Sequence, residues 1–219
     1  NKDSKMSKSV GNVINPLDLI DEFDEDSLRF FLMRDMKLGQ DSNFSEELFF
    51  TRYNSDLAND LGNLLSRITN LIDKFFEGKL SSGFDKSPRG RIVQVESSKV
   101  ISFTNECFRK MKINEAIDNS MNCIKSINKY IESMAPWKLV KTDMTAASSV
   151  LLTSAEALRI SCLSLIAVMP NKMNQALNIL GDNSYNCDWG FFENGLTVKK
   201  HEPLFPRIDV SIKKNHNKS

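Results

Sequence analysis

The sequence has no uninterrupted apolar run near the ~18 residues that a membrane-spanning helix needs, so a mainly membrane-embedded chain is excluded. It also lacks an initiator Met and the basic, apolar and small-residue order of a signal peptide, so the first residues read as the interior of a longer, cytoplasmic chain. Cysteine is sparse. Cys107, Cys123, Cys162 and Cys187 are far apart, form no CxxC, and have only His201 and His216 as imidazole partners. That excludes the usual zinc spacings and leaves reduced cysteines filling a core. A strong net charge is missing too: +1 overall argues against a protein that coats nucleic acid indiscriminately, because such affinity comes from many phosphate contacts. Hydrophobic residues at 41% are sufficient for a buried core.

The charge that is present is unevenly placed. Residues 15–35 hold seven acids against two arginines, residues 81–112 seven cations against three acids, and residues 199–219 six cations against two acids. A local nucleic-acid face is therefore compatible with overall neutrality. The acids Asp21 to Asp26 straddle a helix end and a helix start, where the dipole accounts for them without a metal.

Helical punctuation and period dominate the rest. In NPLDLIDEF, Asn15 can cap and Pro16 suits a first turn. In DSLRFFLMRDMKLG, Asp26 is the expected cap and Gly39 the stop. From Ser45 to Gly78 the spacing predicts one long amphipathic helix, with Leu57, Leu61, Leu64, Ile68, Leu71 and Phe75 stepping by four and three. Gly62 inside it predicts a kink or a close approach by a neighbour. A second helix is expected over about Arg91 to Lys112. The third is capped by Asn114 and striped by Ile117, Met121, Ile124, Ile127, Ile131 and Met134. Pro136 ends it. A fourth spans about Thr145 to Val168 before Pro170, and a shorter fifth ends at Gly181. From Asp182 onward irregular structure is expected, with at most one short helix and with Trp189 and Phe191 in the core; the nine methionines are core filler. No stretch alternates with period two, so the expected fold is all-α: an antiparallel helix bundle, preceded by a loop and a short helical connecting segment.

Five stretches, in order, are KMSKSVGNVINP, DSLRFFLMRDMKLGQDSNFS, LANDLGNLLSR, APWKL and PLFPRI. Together they resemble landmarks of methionyl-tRNA synthetase, a class I aminoacyl-tRNA synthetase. KMSKS with the trailing GN and P marks the class, shared with the isoleucine, valine, leucine and cysteine enzymes; the later stretches point to methionine. The resemblance implies a ligase that activates methionine with ATP and Mg and passes it to tRNA(Met). It implies an ATP loop of Lys5, Met6, Ser7, Lys8 and Ser9. In that loop the ammonium of Lys8, assisted by Lys5, follows the charge that builds on the departing phosphates. It divides the chain into residues 1–40, the loop and connecting helices at the end of a catalytic domain, and residues 41–219, a helical anticodon-binding domain.

The resemblance also assigns an anticodon reader, Asn63, Arg67, Pro136 and Trp137. On a helical wheel Asn63 and Arg67 lie one turn apart, off the apolar stripe, on a flank shared with Asp60, Asn70 and Lys74. With helices running up, down and up, Trp137 returns to the end where the first helix finishes. Asn and Arg suit base edges, and Trp offers a stacking face. Taken singly these residues have plainer readings: Asn63 a polar surface residue, Arg67 a partner of Asp60 or Glu77, Trp137 a core plug. KHEPLFPRIDVSIKKNHNKS reads as a docking segment followed by a basic tail, with contact to the tRNA backbone as its second reading. The HIGH signature, the nucleotide-binding sheet with its methionine pocket and the inserted zinc domain of many members are absent from these residues. The chain alone is therefore expected to be inactive and to hold no metal; because it ends soon after PLFPRI, where some members carry a further dimerisation domain, it is expected to be monomeric. Methionine and ATP would reach it only through the missing catalytic domain. The rivals are another class I synthetase of that group, or a helical interaction module without RNA binding.

Overall fold

The computed structural model describes residues 16–35, 45–81 and 83–209. Among them the order is α1 (Pro16–Glu22), α2 (Glu25–Asp35), α3 (Glu46–Arg52), a π-helical segment Tyr53–Gly62, α4 (Asn63–Phe76) and β1 (Lys79–Leu80). Then follow α5 (Pro88–Arg109), α6 (Ile113–Met134), α7 (Pro136–Leu139), α8 (Met144–Leu165), α9 (Pro170–Ile179) and β2 (Leu196–Thr197). The all-α expectation holds, with one addition: β1 and β2 form a two-residue antiparallel pair, Lys79 opposite Thr197. Two residues are too short to leave a period-two trace in sequence.

The long helix expected from Ser45 to Gly78 is present but is not uniform. Ser45 caps it, its hydroxyl accepting the Leu48 N–H at 3.1 Å, and Glu77 closes it in the left-handed region at φ 53°. Between them the backbone widens into a π-helix that ends at Gly62. A Cβ on Gly62 would meet the Leu57 carbonyl at 3.1 Å and Phe205 Cβ at 3.6 Å, so the glycine serves both a change of pitch and a close neighbour. Leu57, Leu61, Leu64 and Ile68 are fully buried, whereas Leu71 and Phe75 are half-buried towards the helix end.

Two expected caps are corrected. Asp26 lies inside the first turn of α2; Asp24, at φ 129°, is the cap and accepts the Ser27 N–H at 2.7 Å. The carboxylate of Asp26 instead accepts the Lys172 N–H at 2.6 Å, capping α9 from across the chain. Burial is the main reason its acidity is weakened. Asn114 caps nothing: α6 opens at Ile113, after Lys112 with no side-chain cap. Pro170 both stops the preceding chain and sits in the first turn of α9. Cys107, Cys123 and Cys162 are buried as expected, but Cys187 is exposed. Trp189 and Phe191 are half-buried against the core.

Helix α8 forms the centre of the bundle, packed by α4, α5, α6, α7 and α9. By length and hydropathy it passes for a membrane span, yet 89% of its apolar window is buried inside the bundle. Its serines return their hydroxyls to their own helix, Ser154 to the Val150 carbonyl at 2.8 Å and Ser161 to that of Ala157 at 2.9 Å. Glu156 and Arg159, both fully buried, face the irregular segment after α9. Arg159 pairs with Glu156 at 2.8 Å and Asp182 at 3.0 Å and donates to the carbonyls of Asn186 and Asp188. Glu156 accepts the N–H groups of Gly190, Phe191 and Phe192. That closed network turns residues 182–192 back onto the bundle without an unpaired buried charge.

Candidate functional site

At about 100° per residue, α4 presents three sides. Leu64, Leu65, Ile68 and Ile72 face the core. Thr69 and Gly62 lie within about 20° of each other on a second side. Asn63, Arg67, Asn70 and Lys74 occupy a third, about 100–160° from Thr69. Asn63, Asn70 and Lys74 are exposed, and the Arg67 side chain is 37% exposed. From Asn63 to Lys74 this strip runs for about 16 Å.

One edge of the strip is α6. Asp60 is joined to it by Lys125 Nζ at 3.8 Å and by the Asn128 amide, which donates to the Asp60 carbonyl at 2.9 Å. Two turns on, Arg67 Nη1 lies 3.6 Å from Glu132 Oε1. The two helices therefore run parallel, as the up-down-up order requires, and Arg67 pairs with neither Asp60 nor Glu77. At 3.6 Å the pair is electrostatic and not hydrogen-bonded, and Arg67 Nη1 is buried with its donors unspent. Glu132 stands just before the end of α6, where Ala135 takes the left-handed conformation at φ 45°. The chain reverses there into α7, with Pro136 buried and Trp137 half-buried against the core. The structure thus brings Arg67 to the helix end that bears Pro136 and Trp137, with Asn63 one turn away on the same strip. Trp137 is part core plug and part surface.

The other edge is a strap that sequence reading expected to dock but did not place. Val198 N–H donates to the Gly78 carbonyl at 2.9 Å, and His201 Nε2 lies 2.9 Å from Thr69 Oγ1. Phe205 packs at Gly62. The Asn54 amide then exchanges two hydrogen bonds with the backbone of Ile208, at 2.9 and 3.0 Å. Residues 196–208 thereby run antiparallel along the helix from Gly78 back to Asn54. Glu132 and Asn54 carry no local signal of these roles, since each is an ordinary polar residue on an amphipathic helix. Lys5, Met6, Ser7, Lys8 and Ser9 lie outside the described residues.

Comparison with known proteins bears on this arrangement. The family model described as tRNA synthetases class I (M) matches residues 1–69, a stretch that includes Lys5 to Ser9, Asn63 and Arg67. A methionine–tRNA ligase of Clostridium acetobutylicum is 38% identical over 215 residues, 95% of this chain and 33% of the relative. That of Enterococcus faecalis is 38% identical over 218 residues, with the same two coverages, 95% and 33%. The chain belongs to the methionyl-tRNA synthetase family. In three dimensions it is similar to the crystal structure of Mycobacterium tuberculosis methionyl-tRNA synthetase bound by methionyl-adenylate, with a TM-score of 0.84 at 27% identity. The match covers 92% of this chain and 42% of that one. The chain spans about a third of the length of the curated methionyl-tRNA synthetases it matches. Sequence similarity to those relatives extends past the family-model match, through the α6–α7 turn that carries Trp137.

Proposed function

We propose that this chain is part of a methionine–tRNA ligase and that its bundle reads the anticodon of tRNA(Met). Asn63 and Arg67 read base edges, and Trp137, set by the buried Pro136, offers a stacking face. The observation that carries this reading is the state of Arg67: a guanidinium held at the strip by a long ion pair to Glu132, with donors left over, near the end of α6 that leads into the half-buried Trp137. Single-stranded loop bases are recognised by such donors and by aromatic faces.

In the whole enzyme, Lys8 and Lys5 neutralise the departing phosphates of ATP, with Met6, Ser7 and Ser9 shaping the loop. The carboxylate of methionine would be joined to the α-phosphate of ATP, with Mg accompanying the nucleotide and pyrophosphate leaving. Residues 1–40 belong with the catalytic domain and residues 41–219 form the anticodon-binding domain. The enzyme acts as a cytoplasmic monomer.

The test is binding of this chain to an RNA hairpin carrying the methionine anticodon, measured against the same hairpin with another anticodon. The methionine hairpin should bind at least about 10-fold more tightly, since each mismatched contact costs ~1–3 kcal/mol. Equal affinities would remove the reading and favour a helical module without RNA specificity.

A further inference from the structure

Between the α4 strip and the strap lies an open groove of about 560 Å³, lined by Thr69, Asn70 and Asp73 of α4 and by Lys199, Lys200, His201 and Glu202 of the strap. We infer that this groove holds the phosphodiester backbone of the RNA loop whose bases face Asn63 and Arg67, with Lys199 and Lys200 as the phosphate contacts. The inference rests on the anticodon reading of α4 and extends it to a second wall of the same site.

Three features of the groove support it. First, its wall is anchored. Both ring nitrogens of His201 are engaged, Nε2 with Thr69 Oγ1 at 2.9 Å and Nδ1 with the Glu202 carbonyl at 2.7 Å. Val198 and Lys199 are tied by backbone bonds to Gly78 and Ile179. The two lysines therefore project from a fixed backbone. Second, their ammonium groups keep donors to spare. Lys199 Nζ spends one of its three on Asn178 Oδ1 at 2.6 Å. Among the described residues Lys200, with 88% of its side chain exposed, has only a 3.9 Å surface pair with Asp73, an interaction of little worth in water. Third, the groove adjoins the strip at Asn70, which belongs to both.

The acids Asp73 and Glu202 temper the field. That argues for point contacts to individual phosphates and against a general anion sink. Ammonium groups suit phosphates as point charges and carry no base specificity. The strap therefore positions the loop, while Asn63 and Arg67 discriminate.

The experiment measures hairpin affinity as a function of salt for the chain and for the Lys199→Ala/Lys200→Ala double variant. The log–log salt slope should fall by about 1.4, because each lysine that neutralises a phosphate of single-stranded RNA accounts for about 0.7. The ratio between methionine and non-methionine anticodons should not change. The Lys199→Arg/Lys200→Arg variant should restore the slope, because it restores the charge. Thermal unfolding monitors the fold of each variant. An unchanged slope in the double Ala variant, with discrimination intact, overturns the strap contact alone. Loss of discrimination in the unmodified chain overturns the anticodon reading and the strap contact with it.

Discussion

Two arginines in this bundle sit in opposite circumstances. Arg159, on the central helix, is fully buried with two carboxylates and two carbonyls around it, and its guanidinium lies 5.0 Å from the centre of the Phe191 ring. Arg67, on the rim, has one exposed carboxylate at 3.6 Å and a buried nitrogen with no hydrogen-bond partner among the described residues. In the first region every donor is spent, so the residue can only hold the fold. In the second the donors are positioned but unspent, which is what the proposed anticodon reading requires. Burial by itself does not separate a structural charge from a functional one; the completeness of its partners does.

The sharpest way to break this contrast is Arg159→Met. It leaves Glu156 and Asp182 buried without a cation, and denaturant unfolding should show a loss of about 3–5 kcal/mol. A loss below about 1 kcal/mol would mean that the network is not the anchor of residues 182–192. Arg67→Ala should behave in the reverse manner. Its exposed ion pair contributes at most about 1 kcal/mol to stability, whereas hairpin affinity should fall by ~1–3 kcal/mol, or about 10- to 100-fold. Glu132→Gln refines the comparison, because it releases Arg67 and removes a negative charge from the strip. A few-fold gain in hairpin affinity with no change in the melting temperature is expected; a decrease would show that Glu132 orients the guanidinium productively.

The smallest effect concerns a carboxylate between the two extremes. Asp26 is 2% exposed, with one oxygen capping α9 and the other without a hydrogen-bond partner among the described residues. Burial raises its folded pKa above the ordinary 3.8. A raised carboxylate favours folding below the unfolded pKa and loses that contribution as pH climbs through the folded value. Asp26→Asn should therefore be more stable than the parent at neutral pH, with the advantage shrinking as pH falls towards the ordinary carboxylate range. Melting curves at several pH values check the sign.

The helices were largely legible in the chain because their signals are local. Apolar steps of three and four residues drew α4 and α6, while Ser45 and Pro136 marked ends that the structure confirms. Local signals misled where a residue found a better partner far away. Asp26 looked like the cap of its own helix, but Asp24 takes that role and frees Asp26 for Lys172, 146 residues on. Gly62 was expected to be a kink or a close approach, and it is a π-helix end against Phe205.

The candidate site divides in the same way. Sequence alone placed Asn63 and Arg67 on one flank and Trp137 at the returning helix end, because a helix repeats every 3.6 residues and a short turn reverses it. It could not show that Glu132 meets Arg67, that Asn54 holds Ile208 across 154 residues, or that Lys199 and Lys200 wall the strip. Period, caps and breakers are properties of a few consecutive residues and survive in any context. Which polar group satisfies which depends on helices packing to a common core, and only the tertiary structure decides that.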